Sequence, residues 1–170
     1  GLFNGLIKVT SFSGLFQDCT SLESIPANLL KGCTNVKNIS SMFKGCTSLK
    51  NVDADASVDG TAVTSILSLF EGCTSLETIP GSVFNELANA TSTTRIFYNS
   101  GLKTVPAGLL KPLTATASFD QVFAECKALE TVEADVFPGG AKAKTLTKVF
   151  FNDTALKNVG LMFGEANTAA

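Results

Sequence analysis

The sequence predicts an α/β repeat fold: a solenoid of about six 27-residue units, with short parallel strands on one face and short helices or turns on the other. Three observations predict it. Phe16, Phe43, Phe70, Phe97, Phe123 and Phe150 recur at intervals of 27, 27, 27, 26 and 27 residues. A Leu-x-x-Ile/Val segment follows each of them, ending at Ile25, Val52, Ile79, Val105, Val132 and Val159. With 170 residues and 45% hydrophobic content, the chain can fill a continuous core.

The first element of each unit lies upstream of the phenylalanine. Apolar residues stand four positions before it (Phe12, Ile39, Ile66, Phe119 and Leu146, with Thr93 in the fourth unit). Others stand immediately before it (Leu15, Met42, Leu69, Ile96, Val122 and Val149). Spacings of three and four fit one face of a short helix. Ser and Thr residues such as Thr64-Ser65 and Thr91-Ser92 are suited to cap it. The phenylalanines read as core, because burying one such ring contributes about 1.5–3 kcal/mol and six in a column make a spine.

A turn follows, carrying Cys19, Cys46, Cys73 and Cys126, with Ser100 and Asp153 replacing cysteine in the fourth and sixth units. The fourth unit is one residue short between Phe97 and Leu102, so this turn must tolerate shortening. Disulfides along the column are disfavoured. Neighbouring strands lie about 4.8 Å apart, and parallel Cβ vectors keep the Cβ atoms beyond the roughly 3.8 Å a bridge prefers. Reduced, buried thiols making weak hydrogen bonds are expected instead. Cys33 lies off the column and is expected to pack. A row of thiols, without histidine and without Cys-x-x-Cys spacing, does not make a zinc site.

The Leu-x-x-Ile segments are too short and too β-branched for helix and read as brief parallel strands. Their two middle positions point away from the core. The first of these reads Glu23, Lys50, Glu77, Lys103, Glu130, Lys157, and opposite charges on adjacent strands contribute roughly 0.2–1 kcal/mol each. The second reads Ser24, Asn51, Thr78, Thr104, Thr131, Asn158, a polar uncharged stripe. These residues form the candidate binding face. It has few anchors of the kind that dominate protein interfaces, since the chain has no tryptophan and one tyrosine, Tyr98. Tyr98 and Phe151, each following a spine phenylalanine, are candidate exposed aromatics or flank packing.

Each unit closes with an apolar pair at Leu29-Leu30, Val83-Phe84, Leu109-Leu110 and Val136-Phe137. Ala56-Ser57 is the exception and marks the weakest core layer. Leu2-Phe3 and Phe163 fall in the same column, so residues 1–170 are expected to be a single repeat domain cut from a longer protein. Gly139-Gly140 fits a turn within a repeat, and the end from Glu165 is expected to fray.

Composition narrows the function. Net charge is −2 and the 13 basic residues are scattered, which excludes a nucleic-acid footprint. No apolar run approaches the roughly 18 residues of a membrane span. Asp53-Ala-Asp55-Ala-Ser57-Val-Asp59-Gly60 begins like a calcium loop, but Val58 stands where glycine is required and Thr64 where the bidentate glutamate belongs. It reads as a solvated acidic turn, as do Glu133 and Asp135. Asn38, Asn89 and Asn152 begin glycosylation triplets that matter only in a eukaryotic secretory pathway. With no histidine, no phosphate-cradling glycine loop and no G-x-S-x-G, no catalytic residue, metal or cofactor is assigned.

The unit Met42-Phe43-Lys-Gly-Cys46-Thr-Ser-Leu49-Lys-Asn-Val52 resembles the BspA-like bacterial leucine-rich repeats, whose hallmark is Phe-x-x-Cys-x-x-Leu-x-x-Ile/Leu. The resemblance covers essentially the whole chain and departs at Ser100 and Asp153. The 27-residue period exceeds that of the shortest members, which leaves the convex connection open. The resemblance implies a non-enzymatic, cell-surface or secreted adhesion module of a host-associated bacterium. Its implied partner is a protein, for example a host extracellular or cell-surface protein. The alternatives are a structural spacer or stalk and, behind both, a carbohydrate-active enzyme built on an acid pair at a cleft.

Overall fold

The computed structural model describes residues 2–3, 5–56, 60, 62–139 and 143–161. Ser57, Val58, Asp59, Gly140, Phe163 and the end from Glu165, singled out above, lie outside the described residues.

Successive units lie side by side, joined by backbone hydrogen bonds about one period apart. On the turn side, N–H groups donate to the following unit: Phe16 to Met42 O at 2.9 Å, Phe43 to Leu69 O at 3.1 Å, Phe70 to Ile96 O at 2.8 Å. On the strand side the direction reverses. Lys50 donates back to Glu23 O and Glu130 to Lys103 O, each at 2.9 Å.

The expected short helices are not formed; among the described residues no helix is present. An α-helix needs successive N–H groups to reach the carbonyl four residues back. Here only alternate ones stay local, reaching three residues back: Leu15 to Phe12 O, Gln17 to Gly14 O, Cys19 to Phe16 O. The rest go to the neighbouring unit. The spacing of three and four is therefore the signature of a chain of tight turns. Two positive φ angles per unit mark it, two residues before and two after each spine phenylalanine, as at Ser41 (55°) and Gly45 (73°) or Arg95 (58°) and Asn99 (53°). A type II turn requires such a residue at its third position. A non-glycine residue there costs roughly 1–2 kcal/mol, which the inter-unit hydrogen bonds and packing offset.

Five two-residue strands form in chain order: β1 Ser24–Ile25, β2 Asn51–Val52, β3 Thr104–Val105, β4 Thr131–Val132 and β5 Asn158–Val159. They make two parallel sheets, β1-β2 and β3-β4-β5. The third unit, expected to supply a strand at Thr78-Ile79, supplies none. Proline removes two of the ladder donors. The residue after each strand normally donates to the preceding unit, as Asp53 does to Ile25 O (3.0 Å), Glu133 to Val105 O (2.9 Å) and Gly160 to Val132 O (2.8 Å). Pro80 and Pro106 hold this position on the third and fourth units and have no N–H to donate. The ladder is weakened on both sides of the third unit, and the sheet divides there.

The core lies between the turn side and the strand side. The six spine rings stack with centroids 5.5–5.7 Å apart and planes 5–8° from parallel. That is offset stacking, worth about 0.5–1.5 kcal/mol per pair beyond area burial. Ala56 leaves its layer underfilled: a cavity of about 30 Å³ lies among Leu30, Met42, Phe43, Ala56, Phe70 and Phe84. The one-residue deletion is absorbed at Gly101, where an added Cβ would lie 2.1 Å from the Thr74 carbonyl oxygen. Only glycine lets the shortened turn pass so close to the preceding unit.

Candidate functional site: the strand face

Side chains alternate along an extended segment, so burying Ile25 and Val52 turns Ser24 and Asn51 to solvent. Parallel register then lines up the second column: Ser24 beside Asn51, and Thr104 beside Thr131 beside Asn158. Ten of the twelve predicted face residues are exposed, while Thr104 and Thr131 are half-buried.

The charged column resolves into three separate pairs. Each lysine reaches back to the glutamate of the preceding unit: Lys50 to Glu23 at 3.9 Å, Lys103 to Glu77 at 2.7 Å and Lys157 to Glu130 at 3.2 Å. All six side chains are more than half exposed, so each pair is worth about 0–1 kcal/mol. Between Lys50 and Glu77, which belong to separate ion pairs, the face opens into a polar depression of about 470 Å³. Asn51, Thr74, Ser75 and Thr78 complete its lining. It coincides with the interruption at Pro80. Sequence reasoning missed this feature, although Pro80 and Pro106 at successive strand exits are the signal that marks it. The lining supplies one carboxylate, Glu77, whereas glycoside hydrolysis uses a pair.

The two outlying aromatics sit on the turn side, apart from this face. The Arg95 guanidinium lies 4.9 Å above the half-buried Tyr98 ring, and the Lys148 ammonium 5.3 Å from the exposed Phe151 ring. Both aromatics occupy the column in which Lys44 and Glu71 pair at 2.9 Å.

The cysteine column is structural. Cys46, Cys73 and Cys126 are buried, and each thiol donates to the carbonyl of the preceding unit's spine phenylalanine: Phe16 at 3.1 Å, Phe43 at 3.2 Å and Phe97 at 3.1 Å. Burial pushes the Cys46 thiol up to about 11, and Cys73 and Cys126 up to about 12. Cys19 is exposed, and Cys33 is buried with its thiol 3.4 Å from Phe3 O. Ser100 keeps a polar contact in the column, 3.3 Å from the Cys126 sulfur. Among the described residues, no group of three or more His, Cys, Asp or Glu side chains converges to hold a metal ion. Asp53 closes a local turn by accepting the Asp55 N–H at 2.9 Å, and both residues are exposed. No helix of the described residues is long and apolar enough to cross a membrane.

Comparison with solved structures finds similarity to a leucine-rich repeat protein from Bacteroides ovatus ATCC 8483, at 21% identity and a TM-score of 0.47. The match covers 89% of this chain and 40% of that protein, so this chain spans less than half of its length. No protein-family model and no curated protein matches the chain.

Proposed function

We propose that the chain is a non-enzymatic protein-binding module of a cell-surface or secreted protein, resembling the BspA-like repeats, that engages its partner through the strand face. The observation that carries this reading is the alignment of the outward strand residues from successive units on one face. That face opens between Lys50 and Glu77 into a depression lined entirely by polar side chains. The Phe-x-x-Cys-x-x-Leu-x-x-Ile/Val repeat supports a surface role and a host protein as the class of partner.

The test is capture from host extracellular extract by the native chain and by a Lys50→Glu/Lys103→Glu variant. Both substitutions fall on exposed side chains whose ion pairs contribute about 0–1 kcal/mol, so the variant is expected to fold. A protein captured by the native chain and lost by the folded variant supports binding through this face. Equal capture by both places binding elsewhere. A second reading, a spacer that presents another domain, draws on the ion pairs themselves, because Lys103 and Lys157 already satisfy their charges within the chain. Capture of nothing by either form favours the spacer.

A further inference from the structure

Asp153 holds the cysteine position of the sixth unit, and its side chain is nine-tenths buried. Its Oδ1 accepts the Cys126 N–H at 2.8 Å, while Oδ2 is buried with no hydrogen-bond partner. In three other units this position is a donor, since the thiols of Cys46, Cys73 and Cys126 each bond to a spine carbonyl of the preceding unit. Carried one unit on, that relation assigns residue 153 the carbonyl of Phe123. A carboxylate has no proton to give a carbonyl, whereas a carboxylic acid has one O–H. We propose that Asp153 is a pH-sensitive latch: as the neutral acid it donates Oδ2–H to the Phe123 carbonyl and holds the sixth unit on the fifth, and on losing that proton it loosens the junction.

The surroundings favour the acid form. Burial is the largest influence and pushes the Asp153 carboxyl up to about 7; the Cys126 N–H opposes it, the Glu125 charge adds to it, and Lys127 opposes it weakly. Lys127 is committed elsewhere, 2.8 Å from Glu125 and 3.1 Å from the Asn152 carbonyl. The lysines of the sixth unit are engaged too, Lys148 over the Phe151 ring and Lys157 on Glu130. The Cys126 thiol, held up near 12, stays neutral and adds no charge. An unfolded aspartate titrates near 3.9, below the folded value, so the proton favours the assembled junction. The contribution is complete below about pH 4 and is lost as pH rises through about 7.

Carboxyl-carbon NMR, with Asp153 assigned from the Asp153→Asn variant, is combined with amide exchange at Lys157, Asn158 and Gly160, which donate across this junction to Glu130 and Val132. The Asp153 signal is expected to titrate near 7. Protection of those amides, corrected for intrinsic exchange, is expected to fall about tenfold or more from pH ~5.5 to ~8.5, while Lys50 and Asp53 at the first junction stay unchanged. Asp153→Asn carries an amide that donates at every pH, and its junction should be insensitive to pH. Asp153→Cys restores the residue of the column and gives the same readout if the asparagine variant does not fold. A titration in the ordinary carboxylate range overturns the proposal. So does junction protection independent of pH in the native chain, or equally dependent on it in the variants.

Discussion

The residues of the cysteine column show how one position can stay polar at the junction between units while its chemistry and its partners change. A thiol donates weakly, but it fits a small apolar turn and points at a spine carbonyl; Ser100 keeps a hydroxyl there and Asp153 a carboxyl. Reactivity follows from burial. Only the thiolate attacks an alkylating agent, and burial keeps Cys46, Cys73 and Cys126 protonated at neutral pH. Iodoacetamide at neutral pH is expected to modify Cys19 rapidly and those three at least about a hundredfold more slowly, read by peptide mass spectrometry, until denaturant exposes them. Equal rates at Cys19 and Cys73 would contradict the packing described. The burial and weak hydrogen bonds of Cys46, Cys73 and Cys126 were legible from their shared column, whereas the exposure of Cys19, at the first unit, and the positive φ at Ser41, Arg95 and Gln121 were not. Serine, arginine and glutamine carry no local preference for that conformation, and the neighbouring unit imposes it.

At the scale of elements, the apolar spacing identified the turn side correctly as a repeating unit with one buried face and misjudged its backbone. Spacings of three and four serve a helix and a chain of four-residue turns alike; the destination of alternate N–H groups separates them, and that is a property of the neighbour. The strands were legible where a unit keeps such a donor on at least one side, as Ile25 receives the Asp53 N–H and Val105 the Glu133 N–H. They failed at the third unit because Pro80 and Pro106 withhold the N–H that Asp53, Glu133 and Gly160 supply. Proline is already accommodated at this position in three units, at Pro26, Pro80 and Pro106, so its backbone demand is met and the cost comes from the lost Glu133 N–H and from the Glu133 Oε2 that accepts the Ala107 N–H at 2.9 Å. Glu133→Pro is therefore expected to divide the three-stranded sheet and destabilise the chain by about 1–3 kcal/mol. Pro80→Ala is expected to stay within about 1 kcal/mol, because a new hydrogen bond is offset by greater freedom of the unfolded chain. Urea unfolding of both variants checks the contrast, and a Glu133→Pro variant as stable as the native chain would contradict it.

Across the whole molecule, each unit is completed by its neighbours. Turn-side N–H groups donate forward and strand-side N–H groups donate backward, so an interior unit contributes donors and acceptors to both sides. Within the spine each ring stacks on the ring before and the ring after, while Phe3 and Phe84 add tilted contacts to Phe16 and Phe97 at 6.3 and 6.0 Å. Stability should then be a sum of unit terms and nearest-neighbour terms. The exposure of ten of the twelve strand-face residues follows from the same stacking and was legible in the sequence, because a fixed period aligns columns wherever the strands run. The depression within it was hidden by two prolines whose effect depends on the unit beside them. The measurement that reaches this claim most directly is a pair of double-mutant cycles by urea unfolding, on Phe70→Leu with Phe97→Leu and on Phe43→Leu with Phe123→Leu. The first pair stacks at 5.5 Å and is expected to show a coupling of about 0.5–1.5 kcal/mol. The second pair, separated by two rings, is expected to be additive to within about 0.3–0.5 kcal/mol. No coupling in the stacked pair, or equal coupling in both, would contradict a spine held by neighbour contacts.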